Sequence, residues 1–396
     1  MSGIIIHSCK EQNLDELVAL CPFNAIEIKS GQLEINAGCR MCRICIKQRP
    51  EIFTLNEEPV KTLINKSEWK GIAVFAEVSS DSVHPVSLEL IGKARELADR
   101  TSQPVFCLLV GDRVEKTGET LLQYGIDRVF VYDRPELKYF KIEPYAAVFT
   151  DFIEKVKPSA ILVGGTPIGR SLAPRVAARF RTGLTADCTI LDINKNTDLD
   201  QIRPAYGGNI MAHIHTPNHR PQFATVRYKI FNAPEKTSPV GVVERCDIAD
   251  DKLVSKIEVI EVKAKESVRS IEDAEVIVVA GKGVKKQADL SMIDELASSL
   301  DAMTAGTRPL IEQGWYDPRL QIGLSGRTVK PRLIITCGVS GSVQFAAGMQ
   351  AADNIIAINS DPTAPIFNLA HYALVGDIYE VIPGLLKRIE KSGSVL

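Results

Sequence analysis

The sequence predicts an α/β protein: two Rossmann-like or flavodoxin-like domains, preceded by a small cysteine-rich α+β domain. From about residue 72, strand-length apolar runs alternate with segments of helical periodicity, which is typical of parallel sheets covered by helices. This rhythm breaks off near residue 232 and resumes at Ala274, so a second α/β unit is expected there. Four of the nine cysteines lie between Cys21 and Cys45. The expected domains are residues 1–66, 67–268 and 269–396.

The N-terminal segment AIEIKSGQLEIN (25–36) predicts two short strands joined by a turn at Ser30-Gly31. In the first α/β unit, strands are expected over 72–78, 105–111, 128–133 and 160–166. Helices are expected over 86–100, 118–125, 145–157 and 173–180. After Thr185, residues 187–193, 201–216 and 221–231 alternate in polarity, which predicts antiparallel strands at a sheet edge.

Residues 232–270 are polar and rich in proline and charge, so they are interpreted as the crossing to the last domain. Strands are then expected within 274–284, 332–341, 354–362 and 372–377. Helices are expected over 290–300 and 378–392.

Composition excludes some classes of function. Apolar residues make up 45% of the chain, charged residues 24%, and the net charge is −2. No basic excess suggests a nucleic-acid partner. No apolar run approaches the ~18 residues of a membrane span, so membrane insertion is not expected. Without features of a signal peptide, a cytoplasmic location with reduced thiols is expected.

The spacing of Cys39, Cys42 and Cys45 is C-x2-C-x2-C. Three thiolates on one tight loop suit three corners of an iron–sulfur cubane. In bacterial ferredoxins a fourth cysteine follows and ligates another cluster, but Arg49-Pro50 stands at that place here. Cys21-Pro22 can complete the remaining site. The prediction is one [4Fe-4S] cluster on Cys21, Cys39, Cys42 and Cys45, in a ferredoxin-like domain.

Other interpretations of the thiols stay open. Zinc is an alternative, although it usually takes well-separated C-x2-C pairs, and the thiols could also be free. Cys9 could replace Cys21 as a ligand. Cys107 and Cys337 lie in apolar runs and are expected to be small core residues.

Two glycine-containing loops follow predicted strands. AGKGV (280–284) lacks the third glycine of a dinucleotide-binding motif and is a weak signal. GVSGSVQ (338–344) opens a predicted helix whose first N–H groups would suit a phosphate. An ordinary strand–helix turn is the alternative. Lys282, Lys285 and Lys286 could contact phosphates or form a solvated face.

Longer segments resemble the alpha subunit of electron-transferring flavoproteins. They are AGTRPLIEQGW (305–315), QIGLSGRTVKP (321–331) and residues 338–377, with GGTPIGRSLAPRVAAR (164–179) and RPAYGGN (203–209) in the first α/β unit. The resemblance covers about residues 71–396. The cysteine-rich domain resembles the ferredoxin-like extension of alpha subunits in electron-bifurcating complexes. Caffeoyl-CoA reductase–Etf complexes are the first match suggested, and lactate dehydrogenase–Etf complexes the second.

The resemblance implies FAD in the C-terminal domain, with Arg308 by the flavin N5 edge, residues 321–325 around the flavin and its phosphates, and Asn359 and Asp377 at the ribose and adenine end. Phe345 stands where the family usually has His, Lys282 replaces Arg and Ser325 replaces Thr. The implied cofactor-binding residues are Lys282, Thr307, Arg308, Gln321, Ile322, Gly323, Leu324, Ser325, Ser340, Gly341, Ser342, Val343, Gln344, Asn359 and Asp377.

The resemblance also implies a function. An Etf beta subunit would complete a heterodimer, and single electrons would pass between its flavin, an acyl-CoA dehydrogenase or reductase subunit and ferredoxin. The expected role is flavin-based electron bifurcation that couples caffeoyl-CoA reduction by NADH to ferredoxin reduction. No side chain is expected to act as acid, base or nucleophile, because the cofactor does the chemistry. The alternatives are the same role in a lactate dehydrogenase complex, a non-redox nucleotide-binding regulatory module with a structural metal, and a complete oxidoreductase.

Overall fold

The computed structural model describes residues 4–7, 13–36, 39, 42–55, 64–79, 82–205, 210–263 and 270–392. Cys9 and residues 206–209, which the sequence singled out, lie outside the described residues. The chain forms two compact units, Met1–Ile64 and Asn65–Leu396. The predicted three-domain division stays a prediction.

The first unit has the element order β-α-β-β-α-β. Its elements are β1 (Ile4–Ile6), α1 (Leu14–Ala19), β2 (Ile26–Lys29), β3 (Gln32–Ile35), α2 (Ile44–Gln48) and β4 (Phe53–Leu55). β1 pairs antiparallel with β4, and β2 with β3. The predicted hairpin is confirmed: Ser30 and Gly31 form its turn with φ of +51° and +75°, the positive values that a tight hairpin turn requires. Leu17, Ile26 and Phe53 are buried in its core.

The second unit begins with an α/β module. Its elements are β5 (Ile72–Ala76), β6 (Val78–Ser79), β7 (Ser82–Val83), α3 (Pro85–Thr101), β8 (Val105–Gly111), α4 (Glu115–Leu121), β9 (Arg128–Asp133), α5 (Ile142–Val156), β10 (Ala160–Gly164), α6 (Pro167–Arg179), β11 (Leu184–Thr185), β12 (Ile190–Ile193), β13 (Leu199–Ala205), β14 (Ile210–Ile214), β15 (Gln222–Val226) and β16 (Val242–Arg245).

The main sheet of this module is parallel, with the order β11-β15-β10-β5-β8-β9-β16. Apolar residues of α3 and α4 pack on one face, and those of α5 and α6 on the other. The central strands are therefore buried on both faces, as their continuous apolar runs predict.

The prediction for residues 187–231 is partly wrong. β12, β13 and β14 do form a separate antiparallel sheet, as the alternating pattern indicates. β15, however, is a parallel strand between β10 and β11. Its five residues are all buried, which suits an inner strand covered on both sides rather than an edge strand. The polar crossing also contains β16, which extends the main sheet beside β9.

The C-terminal module holds a five-stranded parallel sheet with the order β18-β17-β19-β20-β21. Its elements are β17 (Val276–Ala280), α7 (Leu290–Ser299), β18 (Met303–Gly306), α8 (Arg308–Glu312), β19 (Leu333–Cys337), α9 (Val343–Ala346), β20 (Ile355–Asn359), β21 (Tyr372–Val375) and α10 (Ile378–Ser392). Side chains of α7 and α10 cover one face of the sheet, and those of α9 and neighbouring loops cover the other.

Counted within the module, this strand order is 2-1-3-4-5, a common doubly wound order in which ligands bind at the carboxyl ends of the strands, where the winding reverses. The reversal falls between β17 and β19. The α/β fold with parallel sheets is thus confirmed. Among the described residues, no helix combines the length and the apolar character needed to cross a bilayer.

Candidate functional site

A cavity of about 930 Å³ opens at the carboxyl edge of the C-terminal sheet. The residues that follow each of the five strands contribute to its wall: Lys282 after β17, Thr307 after β18, Gly338 after β19, Ser360 after β20 and Asp377 after β21. Its volume is at the upper end of the ~300–1,000 Å³ typical of small-molecule and cofactor sites.

Thirteen of the fifteen residues expected to bind a cofactor line this cavity. They are Lys282, Thr307, Arg308, Gln321, Ile322, Gly323, Leu324, Ser325, Ser340, Ser342, Gln344, Asn359 and Asp377. Gly341 and Val343 do not line it. Gly341 packs against Ile366, since a Cβ on it would lie 2.3 Å from the Ile366 nitrogen, and Val343 is 42% exposed.

The loops after β17 and β19 meet through glycine. The Gly283 N–H donates to the Gly338 carbonyl at 2.9 Å. A Cβ on Gly281 would lie 2.3 Å from that same carbonyl oxygen. Gly281 and Gly283 therefore allow the backbones of the two loops to come into contact. This close approach does not require the third glycine that AGKGV lacks.

The segment from Gln321 to Ser325 forms one wall. The Gln321 side-chain amide donates to Ser325 Oγ at 2.7 Å, and the Leu324 N–H donates to the Gln344 carbonyl at 2.8 Å. Gly323 has a φ of +137°, a conformation that side chains rarely adopt, and a Cβ there would lie 2.9 Å from Gln344 O. The wall is thus held to α9 by its backbone.

Thr307 carries an unsatisfied polar group. Its side chain is buried, and Oγ1 has no hydrogen-bond partner within the described residues. A buried hydroxyl without a partner is costly, so this atom fits a ligand that hydrogen-bonds it. Its neighbour Arg308 is exposed at the cavity, and its Nε donates to Glu312 Oε1 at 2.8 Å.

The far end of the cavity already has internal hydrogen bonds. Asn359 Nδ2 donates to the Val339 carbonyl at 2.8 Å, and its Oδ1 accepts from the Asp361 N–H at 2.9 Å. Asp377 Oδ1 accepts from the Tyr379 N–H at 3.0 Å. Lys285 Nζ lies 3.7 Å from the other Asp377 oxygen. The Asn359 side chain therefore links the loops after β19 and β20, using both the nitrogen and the oxygen of its amide.

Phe345 lies on the wall and is 5% exposed. Ser342 caps α9 by accepting from the Phe345 N–H. The helix that GVSGSVQ opens is short, because α9 has only four residues. Ser340, Ser342 and Gln344 of this segment line the cavity, and their contact with a phosphate stays a prediction.

Sequence reasoning missed part of this wall. Lys285 was left open, and Ser360, Asp361 and Pro365 were not named, although all four line the cavity. Ser360 and Asp361 directly follow β20, so the rule that sites gather at strand carboxyl ends could have found them.

The residues present fit an FAD. The cavity has the size, it carries Lys282 and Lys285 as cations for phosphates, and Thr307 Oγ1 offers an unused hydrogen-bonding group. The glycine contacts keep backbone close to the cavity without side chains between. Asp361 and Asp377 add carboxylates, which suit hydroxyl groups rather than phosphates.

Cys21, Cys39, Cys42 and Cys45 line one small apolar pocket of the first unit, together with Leu20, Ile26 and Ile44. Cys45 is buried and Cys42 is exposed. Burial raises the pKa of the Cys45 thiol, and the nearby Cys42 and Cys39 raise it further. Cys21 Sγ accepts the Ala25 N–H at 3.3 Å.

The four cysteines are the type of ligand that an iron–sulfur cluster requires, but the pocket that they line is too small for one. The pocket holds only about 20 Å³ within its described wall. Among the described residues, no three His, Cys, Asp or Glu side chains are close enough to hold a metal ion. The four thiols nevertheless lie on the wall of one pocket. Four cysteine thiolates are the ligand set of a [4Fe-4S] cluster.

The other described cysteines behave differently. Cys107 and Cys337 are fully buried, and burial raises the pKa of both thiols to about 12. This confirms the prediction that they are core residues. Cys188 is also buried in the core of the first α/β module.

Comparisons with known proteins agree with the two modules. The family model described as the electron transfer flavoprotein domain matches residues 72–251. The model described as the electron transfer flavoprotein FAD-binding domain matches residues 270–350.

Three relatives are informative. Lactate dehydrogenase (NAD(+),ferredoxin) subunit LctC of Acetobacterium woodii is 58% identical over 393 residues, covering 98% of this chain and 94% of that protein. Electron transfer flavoprotein subunit alpha of Clostridium acetobutylicum is 41% identical, covering 84% of this chain and all of that protein. Acryloyl-CoA reductase electron transfer subunit beta of Anaerotignum propionicum is 35% identical, covering 82% of this chain and 97% of that protein.

Proposed function

The chain belongs to the electron transfer flavoprotein alpha-subunit family, and we propose that it transfers single electrons within a lactate dehydrogenase complex that uses NAD and ferredoxin. The observation that carries this proposal is the LctC match, which extends over 98% of the chain. The match to the Clostridium acetobutylicum alpha subunit covers all of that protein but only 84% of this chain. Because the LctC match leaves only 2% of the chain uncovered, it includes most of the cysteine-rich unit, Met1–Ile64.

FAD in the 930 Å³ cavity is the first part of the proposal. When bound, it supplies the one-electron chemistry. The chain's residues bind and orient it: Lys282 and Lys285 offer positive charge, Thr307 Oγ1 offers a hydrogen bond, and the segment 321–325 offers backbone and Ser325 hydroxyl groups. No acid, base or nucleophile of this chain is assigned a step.

A [4Fe-4S] cluster on Cys21, Cys39, Cys42 and Cys45 is the second part. It is supported by the C-x2-C-x2-C spacing, by the four thiols on one pocket and by the β-α-β-β-α-β order of the unit, which is the order of ferredoxin-like folds. The cluster would supply an electron-transfer site toward ferredoxin. The predicted domain bounds and site residues are part of this proposal.

An Etf beta subunit and a dehydrogenase subunit complete the proposed assembly. The comparisons favour lactate over caffeoyl-CoA, which was the first expectation, because the relative matched over nearly the whole chain is named for lactate. An enoyl-CoA reductase complex is the second candidate, favoured by the 35% identity to an acryloyl-CoA reductase subunit. Both candidate complexes are proposed to use flavin-based electron bifurcation.

The test is an assay of the complex purified with its partner subunits. We expect lactate-dependent NAD⁺ reduction that requires reduced ferredoxin. NADH oxidation with caffeoyl-CoA or another enoyl-CoA, coupled to ferredoxin reduction and without any lactate activity, would overturn the lactate assignment and favour the second candidate.

A further inference from the structure

Arg227 joins the two α/β modules at the wall of the proposed flavin cavity. It directly follows β15 of the first module. Its Nη1 donates to the Leu324 carbonyl at 2.9 Å, and its Nη2 donates to Asp187 Oδ2 at 2.7 Å. Leu324 lies on the cavity wall, whereas Arg227 does not. A side chain of the first module thus binds the backbone of the cavity wall at Leu324 without lining the cavity itself.

The bond to Leu324 fixes the direction of the next N–H group. The peptide between Leu324 and Ser325 is trans, so the Leu324 carbonyl and the Ser325 N–H point in opposite directions. The carbonyl points to Arg227, which lines two smaller pockets of about 130 and 430 Å³ behind the wall. The Ser325 N–H therefore points away from Arg227. Ser325 lines the cavity, and no acceptor in the described part of the chain takes its N–H.

Arg227 is itself held in place. Its partner Asp187 also accepts from Arg170 Nη2 at 3.0 Å, and the Asp187 N–H donates to Thr225 Oγ1 at 3.1 Å. Burial opposes ionisation of Asp187, but the hydrogen bond and charge of Arg227, with the charge of Arg170, hold its pKa below the ordinary value. The carboxylate is therefore available to orient the guanidinium at neutral pH.

We infer that Arg227 is a positioning residue for the flavin: it orients the 324–325 peptide so that the Ser325 N–H is presented to the cofactor. This rests on the proposed function, since it requires FAD in the cavity. A fixed N–H donor at the cofactor binds it more tightly and stabilises the negative charge that reduction adds. Arg suits the role because its planar fork reaches two acceptors at once, which a lysine ammonium does not match.

The experiment uses the complete complex with its flavins removed and FAD added back. The variants are Arg227→Met and Arg227→Lys, and the matched control is Arg327→Met. Arg327 lies two residues after Ser325, but its Nη1 pairs with Glu272 at 2.8 Å and it does not line the cavity. FAD affinity is measured by the change in flavin fluorescence, and the midpoint potential of bound FAD by spectroscopic titration.

We expect Arg227→Met to weaken FAD binding about tenfold or more, the amount one charge-assisted hydrogen bond contributes, and to lower the midpoint potential. Arg227→Lys should recover part of both effects. Arg327→Met should stay within about twofold of the wild type. Asp187→Asn, which keeps the Leu324 bond and removes the ion pair, should move both readouts in the same direction by less. If Arg227→Met does not fold, Arg227→Lys and Asp187→Asn give the same test.

The outcomes separate the two claims. A wild-type complex that binds no FAD in this subunit would overturn the proposed function, and this inference with it. A wild type that binds FAD while Arg227→Met matches Arg327→Met in affinity and potential would overturn the positioning role alone. An Arg227→Met variant with weaker binding but an unchanged potential would also overturn it, because a merely structural role predicts that result.

Discussion

Gly283 and Gly338 meet backbone to backbone at the carboxyl edge of the C-terminal sheet: a Cβ on either would lie 2.7 Å from the Cα of the other. Gly338 also has a φ of +65°. The two loops belong to β17 and β19, the strands between which the winding of the sheet reverses. This contact allows both loops to reach the cavity.

The Gly338→Ala substitution should therefore destabilise the protein and weaken FAD binding. The positive φ alone costs about 1–2 kcal/mol for alanine, and the contact with Gly283 adds to it. The measurement is urea unfolding with and without FAD. The matched control is Gly384→Ala in α10, where a Cβ meets nothing within 4 Å and alanine should stabilise the helix by up to about 1 kcal/mol. Equal stabilities for the two variants would contradict the role of the glycine contact.

The Thr307→Val substitution should have different effects on the stability of the ligand-free protein and on its affinity for FAD. Valine removes a buried hydroxyl that has no partner, so the ligand-free protein should keep its stability or gain up to about 1 kcal/mol. FAD affinity should fall by about fivefold to tenfold, because the cofactor loses a hydrogen bond. Thermal unfolding and a flavin titration measure the two effects. Unchanged affinity would remove Thr307 from the binding site.

The Cys42→Ser substitution should remove most iron and sulfide while leaving FAD bound, because Cys42 is an expected cluster ligand in the first unit and the cavity lies in the second. About four irons per wild-type chain are expected for one cluster. Cys246→Ser is the control: this cysteine lies in the second unit, with its thiol 3.8 Å from the Glu244 carbonyl, and its loss should leave the iron in place. Zinc in place of iron in the wild type would contradict the cluster.

Glu89 should make stability depend on pH. Burial raises its pKa from 4.5 to about 7, although it accepts N–H groups of Lys229 and Phe231. Since the folded pKa is above the unfolded one, the stability contributed by the protonated form is full below about pH 4.5 and is lost as pH rises to about 7. Allowing for partial solvent screening, the loss is roughly 1–3 kcal/mol.

The Glu89→Gln substitution tests this dependence, because glutamine does not titrate. Relative to the wild type, the variant should gain stability between pH 5 and pH 8, measured as the free energy of unfolding at each pH. Glu119→Gln, at an exposed position on α4, is the control and should show no such trend. A constant difference between Glu89→Gln and the wild type would contradict the raised pKa.

Much of the fold follows from local patterns. The bounds of β8 and β9 agree with the predicted residues because continuous apolar runs end at polar turns. β15 was placed wrongly because tertiary burial decides its role: a strand of five residues carries too little periodicity to separate an edge from the centre. β16 was missed because its sequence is short and half exposed.

The site was predictable in part. Family resemblance identified Thr307 and Gln321, because those positions lie in segments with a specific pattern. Ser360 was not named, and Lys285 was left open between a phosphate contact and a solvated face, because the strand-end rule was not applied to every predicted strand. The hydrogen bond from Arg227 to Leu324 joins residues that are 97 positions apart in sequence, and no local pattern indicates it.

The most direct test of the central claim is a flavin and metal analysis of the purified complex, with FAD, iron, sulfide and zinc measured on the same sample and assigned to this chain. We predict one FAD and about four irons in this subunit. No flavin bound to this subunit of the intact complex would contradict the account.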